Sequence, residues 1–271
     1  MTIALTDTQL VRPRKLTDAL RLMRDDEFVP IAGCTDVFVE LHFGLRNSTK
    51  YIDLTALDEL FGVRKRQGGL DIGAMTTYTD IQRSRDVHDK LPILAAAARE
   101  IGGVQIQNRG TIGGNVGNGS PAGDTLPVLA VANAVVLLRS SAAERRVPFN
   151  EFYTGYRQSV RRSDELIVAI EIPEVIGKQW FRKVGTRAAQ AISKIVAAGV
   201  RSDTPRFALG SVAPTVLRLY NTERALVQNN LEAAQQALQS EINPIDDVRS
   251  NASYRRKVAG NLLTQFWNDT V

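Results

Sequence analysis

The sequence is poor in side chains that bind metals or form disulfides. Its 271 residues include one cysteine, Cys34, and two histidines, His42 and His88. A structural zinc site or an iron–sulfur cluster takes about four such ligands, so the sequence excludes both, and one cysteine cannot form an internal disulfide. Neither histidine lies near a nucleophile motif, which argues against a Ser-His-Asp hydrolase. We expect both histidines to be surface or packing residues and predict no metal site.

Aromatic residues and long apolar runs are also scarce. Aromatics are 6% of the sequence, and the basic residues behind its net charge of +5 are interspersed with carboxylates. This pattern argues against a nucleic-acid-binding surface. No apolar run approaches the roughly 18 residues of a membrane-spanning helix, and the N-terminus shows no secretory signal. We therefore expect a cytoplasmic protein with neither a nucleic-acid partner nor a membrane span.

The length and the remaining composition are those of a globular protein. Hydrophobic residues make up 44% and charged residues 23%, enough for one large or two modest domains. In the first hundred residues, short apolar segments alternate with helical patterns, which favours an α/β domain. The predicted strands cover 28–32, 50–54 and 70–73, and the predicted helices cover 17–23, capped by Thr17, then 37–41, a segment opening at Thr77, and 91–101.

The segment that follows, residues 102–123, is rich in glycine. Eight of its twenty-two residues are glycine, interleaved with asparagine, serine and threonine. Glycine is favoured where the backbone takes a positive φ or must approach another group closely. We therefore predict a long structured loop around a ligand, without a regular helix or strand.

The rest of the chain indicates a second unit that begins near Gly177. Its last helix carries an apolar stripe that we expect to pack on the core. The elements predicted before Gly177 are a helix over 125–133 and strands over 134–139 and 165–173. Those predicted after it are apolar stretches over 194–200 and 207–212, a helix capped by Thr222, a helix over 231–242, and a helix from about Ser253 with the stripe Tyr254, Val258, Leu262 and Phe266.

Two glycine-bearing segments are candidates for a phosphate site. Residues 31–37 read as a strand, a glycine turn and a helix N-terminus, and residues 111–115 carry a Gly-Gly turn. Unpaired N–H groups and the positive end of a helix dipole suit such turns to phosphate or pyrophosphate. Turns that merely connect elements are the alternative, which the density of glycine disfavours. Neither a P-loop nor a Rossmann fingerprint is present.

Several motifs in and around these segments carry a family resemblance. They are Ile-Ala-Gly-Cys-Thr-Asp at 31–36, Gln-Asn-Arg-Gly-Thr-Ile-Gly-Gly-Asn at 107–115, Ser-Pro-Ala-Gly-Asp at 120–124, Glu-Leu-Ile at 165–167, Lys-Val-Gly at 183–185 and Pro-Ile-Asp-Asp-Val-Arg at 244–249. In this order they resemble the FAD-binding subunit of molybdenum hydroxylases, the group of xanthine dehydrogenase and carbon monoxide dehydrogenase. The resemblance implies a mixed α/β (α+β) fold. A FAD-binding domain of two α/β subdomains would cover 1–176, and a smaller C-terminal domain of antiparallel sheet and helices would cover 177–271.

The resemblance also implies which residues contact FAD. Residues 31–37 and 111–115 surround the pyrophosphate, mainly through backbone N–H groups. Asp124 accepts a hydrogen bond from a cofactor hydroxyl, and Lys183 lies near the flavin ring, where a cation stabilises the reduced form. The family usually has glycine or asparagine in place of Cys34, and cysteine tolerates a positive φ poorly, while Gly33 keeps the most demanding position. The implied cofactor-contacting residues are Ile31, Ala32, Gly33, Cys34, Thr35, Asp36, Val37, Ile101, Thr111, Gly113, Gly114, Asn115, Asn118, Asp124, Ile167 and Lys183.

The function that the resemblance implies is that of an electron-transfer subunit. It binds FAD without a covalent bond, has no catalytic side chain of its own, and delivers electrons to NAD+ or another acceptor. Molybdopterin is then on a large partner subunit and the iron–sulfur clusters are on a small one. One alternative is a free-standing FAD-dependent reductase or oxidase, for which no acid/base group stands out. Another is an assembly module that has lost its flavin, which the retained glycines disfavour.

Overall fold

The structure is a computed structural model that describes residues 8–45 and 48–271, and it has a mixed α/β fold, as predicted. Its helices are α1 (Leu16–Asp25), α2 (Val37–His42), α3 (Tyr78–Arg83), α4 (Arg85–Lys90), α5 (Pro92–Arg99), α6 (Val104–Gln107), α7 (Ile112–Asn118), α8 (Leu126–Val131), α9 (Tyr220–Val227), α10 (Leu231–Glu241) and α11 (Ala252–Asp269). Its strands are β1 (Gln9–Val11), β2 (Val29–Ile31), β3 (Lys50–Asp53), β4 (Val63–Arg66), β5 (Gly69–Gly73), β6 (Val135–Arg139), β7 (Glu144–Pro148), β8 (Tyr153–Gly155), β9 (Gln158–Ser159), β10 (Leu166–Pro173), β11 (Lys178–Val184), β12 (Ile195–Arg201), β13 (Arg206–Gly210) and β14 (Leu217–Arg218).

A small parallel sheet supports the first glycine turn. Its strand order is β1-β3-β2, with β3 in the centre. Leu20 and Met23 of α1 are buried in one apolar cluster with Ile52 of β3. The predicted strand over 28–32 is β2, but residues 29–32 are only partly buried, because they line a cavity. The parallel arrangement directs the carboxyl end of β2 towards that cavity.

A five-stranded antiparallel sheet forms the centre of the molecule. Its strand order is β4-β5-β10-β6-β7, and β10 is the predicted strand over 165–173. Ile72 of β5 and Ile170 of β10 are fully buried, together with Leu94 of α5 and Leu129 of α8. Helices and sheet therefore share one core, and this core fixes the position of α7, which contacts β10.

The C-terminal part of the chain is an antiparallel sheet covered by helices, as predicted. The strand order is β11-β12-β13-β14, and Phe266 of α11 stacks on Phe207 of β13 with a ring-centroid distance of 5.2 Å. The other side of this sheet contacts α8, and Val200 belongs to the same apolar cluster as the five-stranded sheet. The division of the chain at residue 177 stays a prediction.

The prediction that residues 102–123 lack regular structure is wrong. The segment contains the short helices α6 and α7, and α7 includes Gly113, Gly114 and Gly117. A Cβ on Gly113 would lie only 2.6 Å from the Cβ of Ala74. Gly113 is therefore used to bring α7 against the end of β5, and a positive φ occurs only outside the two helices, at Gly102 and at Gly119, the C-cap of α7.

The predicted helix caps at Thr17 and Thr222 are also wrong, because both residues lie inside their helices. Carboxylates from other elements take over this role. Glu59 accepts from the N–H of Leu16 at 3.0 Å, and Glu241 accepts from the N–H of Thr222 at 2.9 Å. A local sequence pattern cannot reveal a cap that arrives from a distant segment.

The remaining predictions on surfaces are confirmed in part. Leu262 and Phe266 of the α11 stripe are buried, but Tyr254 is 40% exposed, so only the C-terminal half of the stripe is core. His42 and His88 are exposed, as expected. Among the helices of the described residues, none has the length and apolarity to cross a bilayer.

Candidate functional site

The first glycine turn, residues 32–36, connects β2 to α2 and passes directly beside another backbone segment. A Cβ on Gly33 would lie 1.8 Å from the carbonyl oxygen of Arg109, far inside contact distance, so only glycine fits there. The positive φ falls on the next residue, Cys34, at 61°. Gly33 is therefore required by close approach, and the cysteine adopts the left-handed conformation that it tolerates poorly.

The same turn presents unpaired hydrogen-bond donors. The N–H groups of Ala32, Gly33 and Thr35 make no hydrogen bond to any residue within 8–45 or 48–271. All three residues are only partly buried and line a cavity. Successive backbone N–H groups in such a concave turn form an anion-binding site.

The second turn, at the start of α7, differs from the sequence-based expectation. Its cap residue Thr111 accepts a hydrogen bond from the N–H of Gly114 at 3.0 Å, and the N–H of Gly113 donates to the carbonyl of Ala74 at 2.8 Å. The N–H groups of Gly113 and Gly114 thus have partners within the protein, and their predicted contact with a pyrophosphate stays a prediction. What it offers a ligand is a backbone surface without side chains.

Asn115 adds a donor beside this surface. Its side-chain oxygen accepts from the hydroxyl of Thr125 at 2.5 Å, which fixes the orientation of the carboxamide. The amide nitrogen then faces away from that bond, and Asn115 borders the cavities on both sides of the turn. An amide N–H in this place can donate to a bound oxygen.

Two cavities meet at these turns. The smaller has a volume of about 260 Å³ and the larger about 770 Å³. The residues that border both are Thr35, Asp36, Tyr78, Asn115 and Asn118. The two cavities therefore adjoin at these residues and form one cleft, an arrangement that suits a ligand with a ring system at each end and a polar link in the middle.

The structure brings fifteen of the sixteen predicted site residues to this cleft. Those on the smaller cavity are Ile31, Ala32, Gly33, Cys34, Thr35, Asp36, Val37, Thr111, Gly113, Gly114, Asn115, Asn118 and Ile167. Ile101 and Asp124 border the larger cavity instead. Lys183 borders neither, and it is the one predicted residue that lies outside the cleft.

Lys183 forms a buried ion pair with Asp124 on the side of Asp124 away from the cleft. The ammonium donates to the Asp124 carboxylate at 2.7 Å and to the carbonyl of Glu100 at 2.7 Å, and Ser193 donates to the other carboxylate oxygen. The two charged side chains are 6% and 8% exposed. Burial raises the pKa of Asp124, although Lys183 and Ser193 oppose the shift. Lys183 is therefore placed to position Asp124.

Several cleft residues were missed by the sequence analysis. Tyr78, at the start of α3, borders both cavities, and burial raises its pKa well above the usual value. Arg161 and Glu165 border the smaller cavity, and Arg249 borders the larger. Glu165 and Arg249 lie in motifs that carried the resemblance, which was a usable signal. Nothing in the local sequence marks Tyr78 or Arg161, because both reach the cleft through the fold.

The cleft fits FAD in its donor set and in its shape. Unpaired N–H groups line the smaller cavity as far as Thr35, where the two cavities adjoin, and they lie beside a backbone segment with which a Cβ on Gly33 would clash. These are the features that accommodate a pyrophosphate between two ring systems. In the part of the chain that the structure describes, no cluster of His, Cys, Asp and Glu could hold a metal ion.

Two family models match this chain. The FAD binding domain in molybdopterin dehydrogenase matches residues 6–175, and the CO dehydrogenase flavoprotein C-terminal domain matches residues 179–270. The chain belongs to the FAD-binding subunits of the molybdopterin dehydrogenases. Such a subunit is part of an oxidoreductase, so the predicted family, enzyme class and cofactor are confirmed.

Individual relatives match this flavoprotein subunit over nearly its whole length. The xanthine dehydrogenase FAD-binding subunit of Escherichia coli O157:H7 is 33% identical, with 96% of this chain and 94% of that subunit aligned. The glyceraldehyde dehydrogenase medium chain of Sulfolobus acidocaldarius is 31% identical, with 96% and 97% aligned. A solved structure of carbon monoxide dehydrogenase from Hydrogenophaga pseudoflava superposes with a TM-score of 0.91 at 27% identity, covering 97% of this chain and 96% of that one.

Proposed function

We propose that this chain binds FAD non-covalently and passes electrons from the iron–sulfur clusters of a partner subunit to NAD+ or another acceptor. The unpaired N–H groups of Ala32 and Gly33 on the smaller cavity, and of Thr35 where the two cavities adjoin, carry the proposal. When bound, FAD supplies the redox chemistry, since it exchanges electrons singly or in pairs. The protein binds and orients it.

Each group in the cleft has a definite task in this proposal. The N–H groups of the first turn and the amide nitrogen of Asn115 donate to the pyrophosphate. The isoalloxazine is the longer of the two ring systems and takes the larger cavity, which Ile101 borders. Asp124 accepts a hydrogen bond from a hydroxyl of the cofactor, and Lys183 keeps that carboxylate in place.

The composition of the chain supports the proposed partners. One cysteine and two histidines cannot ligate an iron–sulfur cluster, so the clusters belong to a small partner subunit and molybdopterin to a large one. Relatives carry names such as medium chain and FAD-subunit, which indicate that they function in assemblies. A cytoplasmic location stays a prediction.

The isolated chain, reconstituted with FAD, should oxidise NADH in the presence of an artificial acceptor, or be reduced by a chemical donor. It should not oxidise hypoxanthine, xanthine, aldehydes or aromatic heterocycles, because hydroxylation and the relay to FAD need groups that this chain cannot hold. Anaerobic absorbance spectra measure both reactions: bleaching of the flavin band by NADH or by the chemical donor is expected, with no bleaching by the hydroxylase substrates.

The same spectra decide between the proposal and a free-standing oxidoreductase. Rapid bleaching by a hydroxylase substrate without added subunits would show that the flavin itself meets the substrate, and the subunit function would be rejected. Failure of the chain to take up any flavin would favour an assembly module instead. A chain heated until it unfolds is the control for reduction of free FAD.

FAD should be released intact when the protein is precipitated with acid. Covalent attachment needs a nucleophile such as histidine or cysteine beside the flavin ring. Cys34 borders the smaller cavity, and neither a cysteine nor a histidine is among the described residues that border the larger one. The yellow colour should therefore stay in the supernatant. Colour that remains in the pellet after washing would contradict the prediction.

A further inference from the structure

Arg161 borders the smaller cavity and takes no part in the function described so far. Among the described residues that border this cavity, it is the only basic one. Its Nη1 donates to the carbonyl oxygens of Arg162 and Glu165 at 3.0 and 2.6 Å, so the side chain is held by the backbone of the loop before β10. The guanidinium is thus fixed at the edge of the cavity.

The charge of Arg161 is not cancelled by a direct ion pair. No carboxylate in the described part of the chain lies within ion-pair distance of its guanidinium. The nearby Glu165 carboxylate is used by Arg145, at 2.7 and 2.9 Å, and by the N–H of Arg162, at 2.8 Å. Burial lowers the pKa of Arg161, and the more distant Glu165 and Asp164 only partly offset this. A partly buried cation without a direct ion pair gains when a ligand anion binds beside it.

This position matters because the two ends of a flavin dinucleotide differ. If the isoalloxazine takes the larger cavity, the ADP half lies on the side of the smaller one, where Arg161 is. The unpaired N–H groups of the turn carry only partial charges, and the other ionisable groups here, Asp36 and Glu165, are acidic. Arg161 is therefore the group in this cavity that offers a full positive charge to an anionic phosphate.

We propose that Arg161 is a specificity-determining residue for the ADP half of FAD: its guanidinium makes this cleft prefer FAD over FMN. The inference rests on the proposed function, since it assumes that the cleft binds FAD. A guanidinium also stacks on flat rings, so it can serve both the phosphates and the adenine. FMN has no adenine and no second phosphate, and it would gain little from this group.

The test compares FAD and FMN binding in four proteins: wild type, Arg161→Gln, Arg161→Lys and Arg162→Gln. Glutamine keeps a donor for the two carbonyls but removes the charge. We expect Arg161→Gln to weaken FAD binding about tenfold and to change FMN binding by less than about twofold. Arg161→Lys keeps the positive charge, so it should retain most of the wild-type affinity for FAD. Arg162 is the matched control, because it is adjacent, pairs with Glu165 and borders neither cavity.

Titration calorimetry and quenching of flavin fluorescence give the affinities, and thermal unfolding without flavin reports the structural role. Equal losses for FAD and FMN, a loss in Arg162→Gln as large as in Arg161→Gln, or unchanged FAD affinity in Arg161→Gln would each overturn the inference. If Arg161→Gln fails to fold, Arg161→Lys alone decides, because retained FAD preference supports a charge and lost preference contradicts it. A wild type that binds no flavin would reject the proposed function instead.

Discussion

Replacing Gly33 with alanine should reduce FAD affinity by about a hundredfold or more, because the new Cβ has no place to go. It would lie 1.8 Å from the carbonyl oxygen and 2.5 Å from the carbonyl carbon of Arg109, which are both backbone atoms rather than the end of a flexible side chain. The two segments must move apart, and this displaces the N–H groups that we assign to the pyrophosphate. Flavin occupancy after reconstitution, and circular dichroism to verify the fold, measure the effect.

Cys34→Gly is the matched control for this prediction. It changes the adjacent residue of the same turn but removes a side chain instead of adding one, and glycine adopts the φ of 61° without strain. We expect this variant to bind FAD at least as tightly as the wild type. If both variants lost FAD affinity equally, any substitution in the turn would be enough to weaken binding. The close approach of Gly33 to Arg109 would then not be the cause of the loss.

Removing Lys183 should have the second large effect, this time on stability. Lys183→Met leaves the Asp124 carboxylate buried with Ser193 as its remaining partner, and breaking a buried ion pair from one side costs about 3–5 kcal/mol. Denaturant unfolding of the flavin-free protein measures this loss. The double variant Lys183→Met/Asp124→Asn should recover much of it, since no charge then remains buried.

The loss in Lys183→Met should also depend on pH with a definite sign. Burial raises the pKa of Asp124, so the folded protein holds this proton more tightly than the unfolded chain does. Lys183 opposes this shift, so its removal raises the pKa of Asp124 further, and the destabilisation of the variant grows as the pH rises from the wild-type pKa to that of the variant. The variant should be less destabilised near about pH 5 than near about pH 8. Equal losses at both pH values would show that Asp124 is not the source.

The sequence predicted where the glycine turns lie, but it did not predict which segments pack against them. Gly33 was identified as the most demanding position of its turn, but the reason is its contact with Arg109, a segment far away in sequence. A positive φ at this turn was also anticipated, and it falls on Cys34. A sequence reports which backbone conformations a residue permits, whereas the neighbour that makes one of them necessary appears only in the fold.

The errors have the same origin. Gly113 favoured a loop by propensity, but packing against Ala74 makes its lack of a side chain an advantage in a helix. Threonine is a common helix N-cap residue, yet Thr222 lies inside its helix, and the carboxylate of Glu241 in the next helix accepts the hydrogen bond from its N–H group. The position of Lys183 beside the flavin ring, which the resemblance implied, stays a prediction, and only the structure reveals that Lys183 donates a hydrogen bond to the Asp124 carboxylate.

The larger cavity has a consequence for how the protein is made. Its wall includes Thr35 from the first turn, Asp124 before α8, and Arg255 in α11. During synthesis from the N-terminus, the first turn leaves the ribosome long before α11 exists. The half of the cleft that we assign to the isoalloxazine is therefore incomplete on a nascent chain. Flavin can be enclosed fully only after α11 has been synthesised and has folded against the rest of the cleft, which makes cofactor loading a late step of biogenesis.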